Sequence, residues 1–385
     1  MRIDRVGEAV RLLDSFAART GLEGWGGDPS RRYLWTDSFA VLASLAAGRL
    51  TGDLHHLARA IDLATLVHRH LGRHRPDDVR SGWISGLAED EGERHPTAGG
   101  LRIGKPLPER MPEEGFDARL EWERDGQYFH YLTRWMHALH RLGQASGDPS
   151  WTRAGTELAL AAHRGFVVRD AAGRVSRLRW KMSIDLSRPQ VASMGHMDPL
   201  DGLVAFATLR AAERALDPSF AALDPAIDDM LRLCEGVRDW ATADPLGVGG
   251  LLLEASAVRA LERDGHLAAP GLAACLAEAA ERGVRAFARG AEVFAHVEAR
   301  LAFRELGLAI GLRAWTGRDP FARYLPLAER IESAWLDPAS QRTPGWTQHL
   351  DINAVMLAAA LVPEECPGVP APAPARERWV RVASG

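Results

Sequence analysis

The sequence predicts an all-α fold, an (α/α)6 barrel of six helical hairpins, from three observations. Apolar residues recur at i, i+3, i+4 and i+7 through most of the 385 residues, which is the period of an amphipathic helix. Turn signals such as Gly147-Asp148-Pro149 interrupt that pattern at intervals. Alternate segments have few charges, as buried helices do, and the segments between them carry charged stripes. An open α-solenoid is the rival, but its repeated consensus is not detected.

Twelve helices are predicted, in six inner and outer pairs. They span 5–19, 35–47, 54–72, 127–146, 149–165, 199–216, 224–242, 247–263, 271–289, 296–316, 323–336 and 349–361. The least charged segments are expected to be buried inner helices or parts of them: 35–47, 199–209, 247–257, 300–314 and 352–362.

Two long connections, 73–126 and 166–198, interrupt the hairpins. Connections much longer than about 15 residues in a compact domain are usually functional when they are not disordered, so both are expected to line a site. Within the second, 174–186 alternates polar and apolar residues and predicts a short β-hairpin. The expected organisation is one toroid domain over 1–362 and a Pro-rich extension over 363–385.

Composition excludes several functional classes. Mean hydropathy is −0.17, and no apolar run approaches the length of about 18 residues that a membrane span needs. The net charge of −4 argues against a dedicated nucleic-acid binder. The N-terminus lacks the pattern of a secretory signal, so a cytoplasmic protein is expected. The oligomeric state stays open.

Cofactor and metal chemistry are not expected. The three cysteines, Cys234, Cys275 and Cys366, are too far apart for a zinc site or a disulfide framework. The glycine-rich nucleotide motifs, the HExxH zinc motif and the GxSxG nucleophile motif are missing from the sequence.

The inner helices begin with an unusual set of polar and aromatic residues. In a hairpin toroid these starts converge on one rim, where helix N-termini concentrate positive potential. The residues are Trp35, Asp37, Gln127, Tyr128, His130, His196, Asp198, Asp201, His296, Glu298, Arg300, Trp346, Gln348, His349, Asp351 and Asn353. Each has a structural explanation by itself, such as an N-cap or a first-turn acid. Their coincidence at several starts favours a binding site.

The residue types suit carbohydrate. Tryptophan, with 12 residues, outnumbers tyrosine, with 4. Indole rings offer a flat apolar surface to the C–H faces of a sugar, while carboxylates, imidazoles and amides bind its hydroxyls. Five tryptophans fall outside helix centres and are predicted to converge on the rim: Trp35, Trp83, Trp122, Trp180 and Trp346.

Glycoside hydrolysis is the favoured reaction. It needs one carboxyl group that donates a proton to the leaving oxygen and a second that activates water or attacks the anomeric carbon. Asp198 is the candidate acid and Asp351 or Glu298 the candidate base, with Asp37 and Asp201 as further candidates. A wide cavity favours the inverting reaction over the retaining one.

The 174–186 hairpin carries several basic residues. Because alternate residues of a strand face one side, Arg177, Arg179 and Lys181 are expected to align. They form either a solvated face or a surface that recognises a carboxylated, sulfated or phosphorylated sugar. Acidic residues in 109–125 are candidates to pair with them.

Several of these segments resemble the six-hairpin glycosidase superfamily, which includes glucoamylase-like, trehalase-like and unsaturated-uronyl hydrolases and sugar 2-epimerases. Residues 33–38, YLWTDS, are similar to the first aromatic-acid motif of glucoamylase-like enzymes but lack its Arg before the Asp. Residues 349–354, HLDINA, resemble the Asp-Leu-Asn-Ala stretch of trehalase-like enzymes, and 195–198, GHMD, lies where those enzymes place their acid. The resemblance covers about 5–362 and implies a sugar-active enzyme. The favoured function is cleavage of a small oligosaccharide or glycoside.

Two alternatives stay open. A sugar 2-epimerase would use His196, His296 and His349 as acid and base, because imidazole titrates near neutral pH. A helical carbohydrate-binding protein without activity would keep the aromatic and amide residues and tolerate the loss of carboxylates.

Overall fold

The computed structural model describes residues 4–22, 27–290, 296–315 and 320–369, and these residues are mainly α-helical. The all-α class is therefore confirmed. Fifteen α-helices lie within the described ranges. They are α1 (Arg5–Arg19), α2 (Leu34–Thr51), α3 (His55–Leu71), α4 (Glu89–Arg94), α5 (Ala118–Glu123), α6 (Phe129–Ser146), α7 (Pro149–Phe166), α8 (Asp198–Leu216), α9 (Asp224–Glu235), α10 (Pro245–Arg263), α11 (Leu272–Arg289), α12 (Ala302–Arg313), α13 (Leu325–Leu336), α14 (Pro344–Thr347) and α15 (Leu350–Leu361).

Each of the twelve predicted helices corresponds to one of these, and two differ clearly in their bounds. The helix predicted over 224–242 ends at Glu235, where Gly236 caps it. The helix predicted over 296–316 begins only at Ala302, because Arg300 has an extended backbone that separates α12 from a short 3-10 helix over Val297–Ala299. Residues of the predicted extension after 369 lie outside the described ranges.

Five short strands accompany the helices. They are β1 (Gln127–Tyr128), β2 (Val167–Arg169), β3 (Val175–Leu178), β4 (Lys181–Met182) and β5 (Pro189–Val191). All pairings are antiparallel: β2 pairs with β3, while β4 lies between β1 and β5. Strand structure near 174–186 is thus confirmed, but β3 and β4 belong to different sheets.

That division corrects the expected alignment of the basic residues. The chain leaves the first sheet after Leu178, and Arg179 and Trp180 connect it to β4. Arg177 and Lys181 therefore lie in two different sheets, and the alternation of one continuous strand does not apply to them.

The described residues divide into two compact units. One comprises 4–22, 39–60 and the described residues from 238 to 369; the other comprises 27–38 and 61–237. They are called the first and the second unit below. A single toroid over 1–362 stays a prediction.

In the first unit the inner helices pack in sequence. Helix α10 packs against α11 and α12, and α12 packs against α13 and α15. The N-terminal helix α1 packs against α15, the last long helix of the described residues. The middle of α15 is buried on all sides, as its lack of charges predicts.

The glycines at the start of α10 serve this packing. A Cβ at Gly249 would lie 2.1 Å from the carbonyl oxygen of Gly307, and one at Gly311 would lie 2.5 Å from the carbonyl oxygen of Gly249. Because only glycine permits that approach, these residues bring α10 and α12 into backbone contact.

In the second unit α6 packs against α7 and α8, and α8 packs against α9. The chain enters α6 through β1, which pairs with β4, so the strands of the 166–198 connection lie beside the start of α6. No helix among the described residues is both long and apolar enough to cross a membrane.

Candidate active site

Three of the four tyrosines of the chain meet in the second unit, at the starts of α2 and α6. The hydroxyl oxygens of Tyr33 and Tyr131 are 2.6 Å apart, and the ring of Tyr128 lies 5.2 Å from that of Tyr131. The indole of Trp35 lies 5.3 Å from the ring of Tyr131. These distances are typical of aromatic pairs in direct contact.

His130 and Trp180 extend this group of rings. The imidazole of His130 is nearly parallel to the indole of Trp180, at 6.3 Å and 9°, and stacks on Tyr128 at 5.4 Å. Trp35 lies 6.2 Å from His130 on another side. We call Tyr33, Trp35, Tyr128, His130, Tyr131 and Trp180 the aromatic cluster.

Asp198 lies next to the aromatic cluster, in the first turn of α8. Its side chain is almost completely buried, at 2% exposure. The backbone N–H of Gly195 donates to its Oδ2 at 2.9 Å, so the side chain does not cap its own helix. Burial, reinforced by the charge of Asp201, raises the pKa of Asp198 well above its ordinary value. Burial therefore favours the protonated form of Asp198 over the charged form.

His130 faces this carboxyl group. Its Nδ1 is 3.6 Å from Oδ1 of Asp198, which is longer than a hydrogen bond. Among the described residues, this buried nitrogen has no hydrogen-bond partner. Burial, with a smaller effect of Arg134, lowers the pKa of His130, so the ring is neutral at pH 7. A buried carboxyl group with a raised pKa and a neutral imidazole therefore lie side by side.

Two other carboxylates of the second unit have basic neighbours. Asp201, one turn after Asp198, accepts from Nη2 of Arg134 at 2.9 Å. Asp37 is buried in the first turn of α2, where it accepts from the N–H of Tyr33 at 3.1 Å and lies 3.8 Å from Nη1 of Arg32. Asp37 is therefore a first-turn acid, as its structural explanation predicts, and it is two residues from Trp35.

Lys181 does not form the sugar-recognising surface suggested for it. Its Nζ is fully buried and donates to Oε1 of Glu121 at 2.8 Å and to the carbonyl oxygens of Glu121 and Arg124. Because an ammonium group has three donors, all of them are occupied. Lys181 therefore connects the two long connections of the chain.

Gln127 is occupied in the same way. Its Nε2 donates to the carbonyl oxygens of Gly99 and Ile184, and its Oε1 accepts from the N–H of Leu101 at 2.9 Å. The side chain is completely buried. The expectation that this amide binds substrate is corrected, because it binds the backbone.

Three further expected residues of the second unit lie elsewhere. Trp83 lines a separate cavity of about 320 Å³ with His68 and Trp151, and the guanidinium of Arg73 lies 4.2 Å above its ring. His196 is exposed. Arg179 is partly exposed, directly before Trp180.

The candidate bases of the first unit lie at the protein surface. Asp351 is exposed at the start of α15 and pairs with Arg19 at 2.9 Å. Glu298 is exposed in the short 3-10 helix before α12. Neither has the desolvated environment that raises the pKa of Asp198.

The buried residues of the same region are occupied by other parts of the chain. Oδ1 of Asn353 accepts from the N–H of Phe303, and its Nδ2 donates to the carbonyl oxygens of Gly345 and Trp346. Trp346 is buried and stacks on Trp335 at 6.0 Å. The expectation that Asn353 and Trp346 contact substrate is corrected, because both are used in packing.

Arg300 is also paired within the first unit. Its guanidinium donates to both carboxylate oxygens of Glu305, at 2.7 and 2.5 Å, and Glu305 in turn accepts from Nε1 of Trp335. His296, Gln348 and His349 are exposed. Five tryptophans are predicted to converge on one rim. In the second unit, Trp35 and Trp180 belong to the aromatic cluster, whereas Trp83 does not.

Sequence reasoning missed Tyr131 and Arg134. Both lie on α6 within one turn of His130, and Tyr131 follows Tyr128 by three residues, the spacing that places two side chains on one face of a helix. The rarity of tyrosine in this chain was the available signal, since three of the four meet here.

The chain distantly resembles several solved structures. No protein-family model and no curated protein match the chain. The structure of an unsaturated glucuronyl hydrolase from Bacillus sp. GL1, responsible for the degradation of glycosaminoglycan, has 16% identity over 74% of this chain and 82% of that chain, with a TM-score of 0.35. A structure of a substituted UGL with dGlcA-Glc-Rha-Glc has 15% identity over 95% and 96% of the two chains, with a TM-score of 0.37. The function proposed below depends on this chain's own residues.

Proposed function

We propose that this protein is a carbohydrate-active enzyme, a glycoside hydrolase in which Asp198 is the general acid. The observation that carries the proposal is the buried carboxyl group of Asp198, whose Oδ1 lies 3.6 Å from Nδ1 of His130 in the aromatic cluster. A general acid must hold its proton at the working pH, and burial in an apolar site is the usual means of achieving this for a carboxyl group. The surrounding rings supply the flat apolar surface that a sugar ring needs.

In the proposed reaction Asp198 donates its proton to the oxygen of the scissile glycosidic bond as the bond to the anomeric carbon breaks. A water molecule adds to that carbon, and a second carboxylate takes the proton of the water. Asp37 is the second carboxylate we favour, because it is buried two residues from Trp35. Asp201, which lies one turn after Asp198 and accepts from Arg134, is the alternative.

The test is turnover of glycosides by the full chain. A thermal-shift screen of aryl glycosides, disaccharides and unsaturated uronides identifies a ligand, and Asp198→Asn is then assayed on it. We expect kcat to fall about 1,000-fold while binding of the ligand persists, because the amide cannot donate the proton. In the wild type, kcat/KM should fall on the alkaline side as Asp198 loses its proton.

The matched control is Asp264→Asn, an exposed aspartate paired with its neighbour Arg263, which should leave kcat unchanged. Asp37→Asn and Asp201→Asn, assayed beside it, identify the base as the one whose loss abolishes turnover. Unchanged turnover in Asp198→Asn would contradict the hydrolase proposal.

The unpartnered Nδ1 of His130 favours a second candidate, a sugar epimerase in which this neutral imidazole is the base. The three histidines first suggested for that role are exposed. The two reactions differ in their product, since epimerisation changes a free sugar without releasing a second one. His130→Ala should abolish epimerisation if the protein is an epimerase. Loss of turnover in Asp198→Asn tests whether it is a hydrolase.

A further inference from the structure

Trp122 is a large apolar side chain that the protein leaves in water. It lies on α5 and is 53% exposed. Its indole meets that of Trp180 edge to face at 5.5 Å. Trp180 in turn contacts Tyr128 at 5.1 Å and stacks parallel to His130. Aromatic rings therefore follow one another from the neighbourhood of Asp198 to the surface.

The position of Trp122 beside Trp180 is fixed by a buried ion pair. Glu121 directly precedes Trp122 in the sequence and Lys181 directly follows Trp180. Nζ of Lys181 donates to the carboxylate and the backbone carbonyl of Glu121, at 2.8 and 2.7 Å. The other carboxylate oxygen of Glu121 accepts from Nε of Arg110 at 3.1 Å.

This arrangement holds the indole rings of Trp122 and Trp180 in place before a ligand binds. Each ion-pair partner is the sequence neighbour of one tryptophan, so the pair holds α5 against the 166–198 connection at the level of the two indoles. A binding surface that is already held in its bound geometry loses less conformational entropy when a ligand binds. Packing alone does not explain the arrangement, because half of the Trp122 side chain remains in water.

We propose that Trp122 and Trp180 form an outer saccharide subsite, continuous with the aromatic cluster at Asp198. This inference rests on the proposed function and specifies its substrate as an oligosaccharide that extends outward from the reacting sugar, rather than a glycoside of a single sugar. Lys181 and Glu121 are positioning residues for this subsite.

The experiment compares Trp122→Ala with wild type by isothermal titration calorimetry, using the mono-, di-, tri- and tetrasaccharides of the sugar that gives the largest thermal shift. Affinity for the longer saccharides is expected to fall about tenfold, the order of one aromatic stacking contact. The loss should grow with chain length. Trp122→Phe, which keeps a ring, should restore part of it.

Leu120→Ala is the matched control, since Leu120 lies on the same helix and is 45% exposed. It should bind every saccharide as wild type does. If Trp122→Ala also binds every length as wild type does, the subsite is overturned even where hydrolysis is observed. If the longer saccharides bind through Trp122 but are not cleaved, the subsite stands and the hydrolase proposal fails.

Discussion

In sequence, the starts of α6 and α8 in the second unit resemble the starts of α12 and α15 in the first unit. The buried polar groups of the two regions nevertheless have different contacts. In the first unit Asn353 binds three backbone groups and Glu305 binds Arg300 and Trp335. In the second unit Asp198 accepts one backbone hydrogen bond, and the facing nitrogen of His130 has no hydrogen-bond partner among the described residues.

This difference separates structural from functional polar groups. Buried polar atoms are nearly always hydrogen-bonded, and a group that is left unpaired lowers stability. Fully paired residues such as Asn353 therefore contribute to folding. The unpaired imidazole nitrogen of His130 beside the buried carboxyl group of Asp198 is the arrangement that a site for a polar ligand needs.

The largest expected effect on stability is that of Lys181→Met, which extends the comparison to a fully paired residue of the second unit. The substitution leaves Glu121 buried with only Arg110 as its charged partner, so the free energy of unfolding should fall by about 3 kcal/mol. Urea denaturation followed by circular dichroism measures it.

The control for this substitution is Lys105→Met, at the other lysine of the chain, which lies over the ring of Tyr33 and should cost less than about 1 kcal/mol. The double variant Lys181→Met with Glu121→Gln should recover part of the loss, because Glu121 then no longer leaves a buried carboxylate charge without Lys181. Equal stability of the two methionine variants would contradict the structural role of Lys181.

Asn353→Ala, in the first unit, should have the next largest effect on stability. It tests the other side of the comparison between the two units. The N–H of Phe303 loses its acceptor in a buried position, so the free energy of unfolding should fall by about 2 kcal/mol. Saccharide affinity at a temperature where the variant is folded should not change. Gln348→Ala, at an exposed position, should stay within about 0.5 kcal/mol of wild type. If Asn353→Ala kept its stability but bound saccharide more weakly, Asn353 would be a substrate-binding residue.

The last prediction is a pH dependence of stability at Asp198. Because burial raises its pKa in the folded protein, the folded state keeps this proton over a pH range in which the unfolded chain has lost it. The contribution is present at low pH and is lost as the pH rises through the folded pKa. Asp198→Asn removes this dependence, so its stability relative to wild type should increase as the pH rises above about 4.

Urea denaturation of wild type and Asp198→Asn over a pH series measures this difference. Asp264→Asn provides the baseline, since that carboxylate is exposed and its pKa is lowered by Arg263. Parallel stability curves for wild type and Asp198→Asn would show that Asp198 is ionised in the folded state, which would also remove it as the general acid.

Much of the fold was predictable because it depends on local patterns. The helix of α1 was predicted over the range that the structure shows, since its apolar period and its Asp4 cap are local signals. The late start of α12 was not, because it depends on the extended backbone of Arg300, whose side chain binds Glu305.

The candidate site was predictable only in part. Asp198, His130, Trp35 and Tyr128 were identified by their positions at helix starts. Gln127 and Asn353 were selected in the same way, and Lys181 by the alternation of the 174–186 segment, but their polar atoms are occupied by the chain itself. Residue type and local position do not show whether a distant part of the chain supplies a partner, so the sequence had no means of separating the two sets.

The sequence by itself determined the helices, their alternation between buried and amphipathic, and the residue types at their starts, because these depend on periodicity and capping within a few residues. Only the tertiary structure decided which of those residues are occupied. Partners such as Glu121 for Lys181 or Phe303 for Asn353 lie far away in the chain. Desolvation of Asp198 likewise depends on helices and loops that the fold brings around it, and it is this burial that makes a common N-terminal aspartate into a candidate acid.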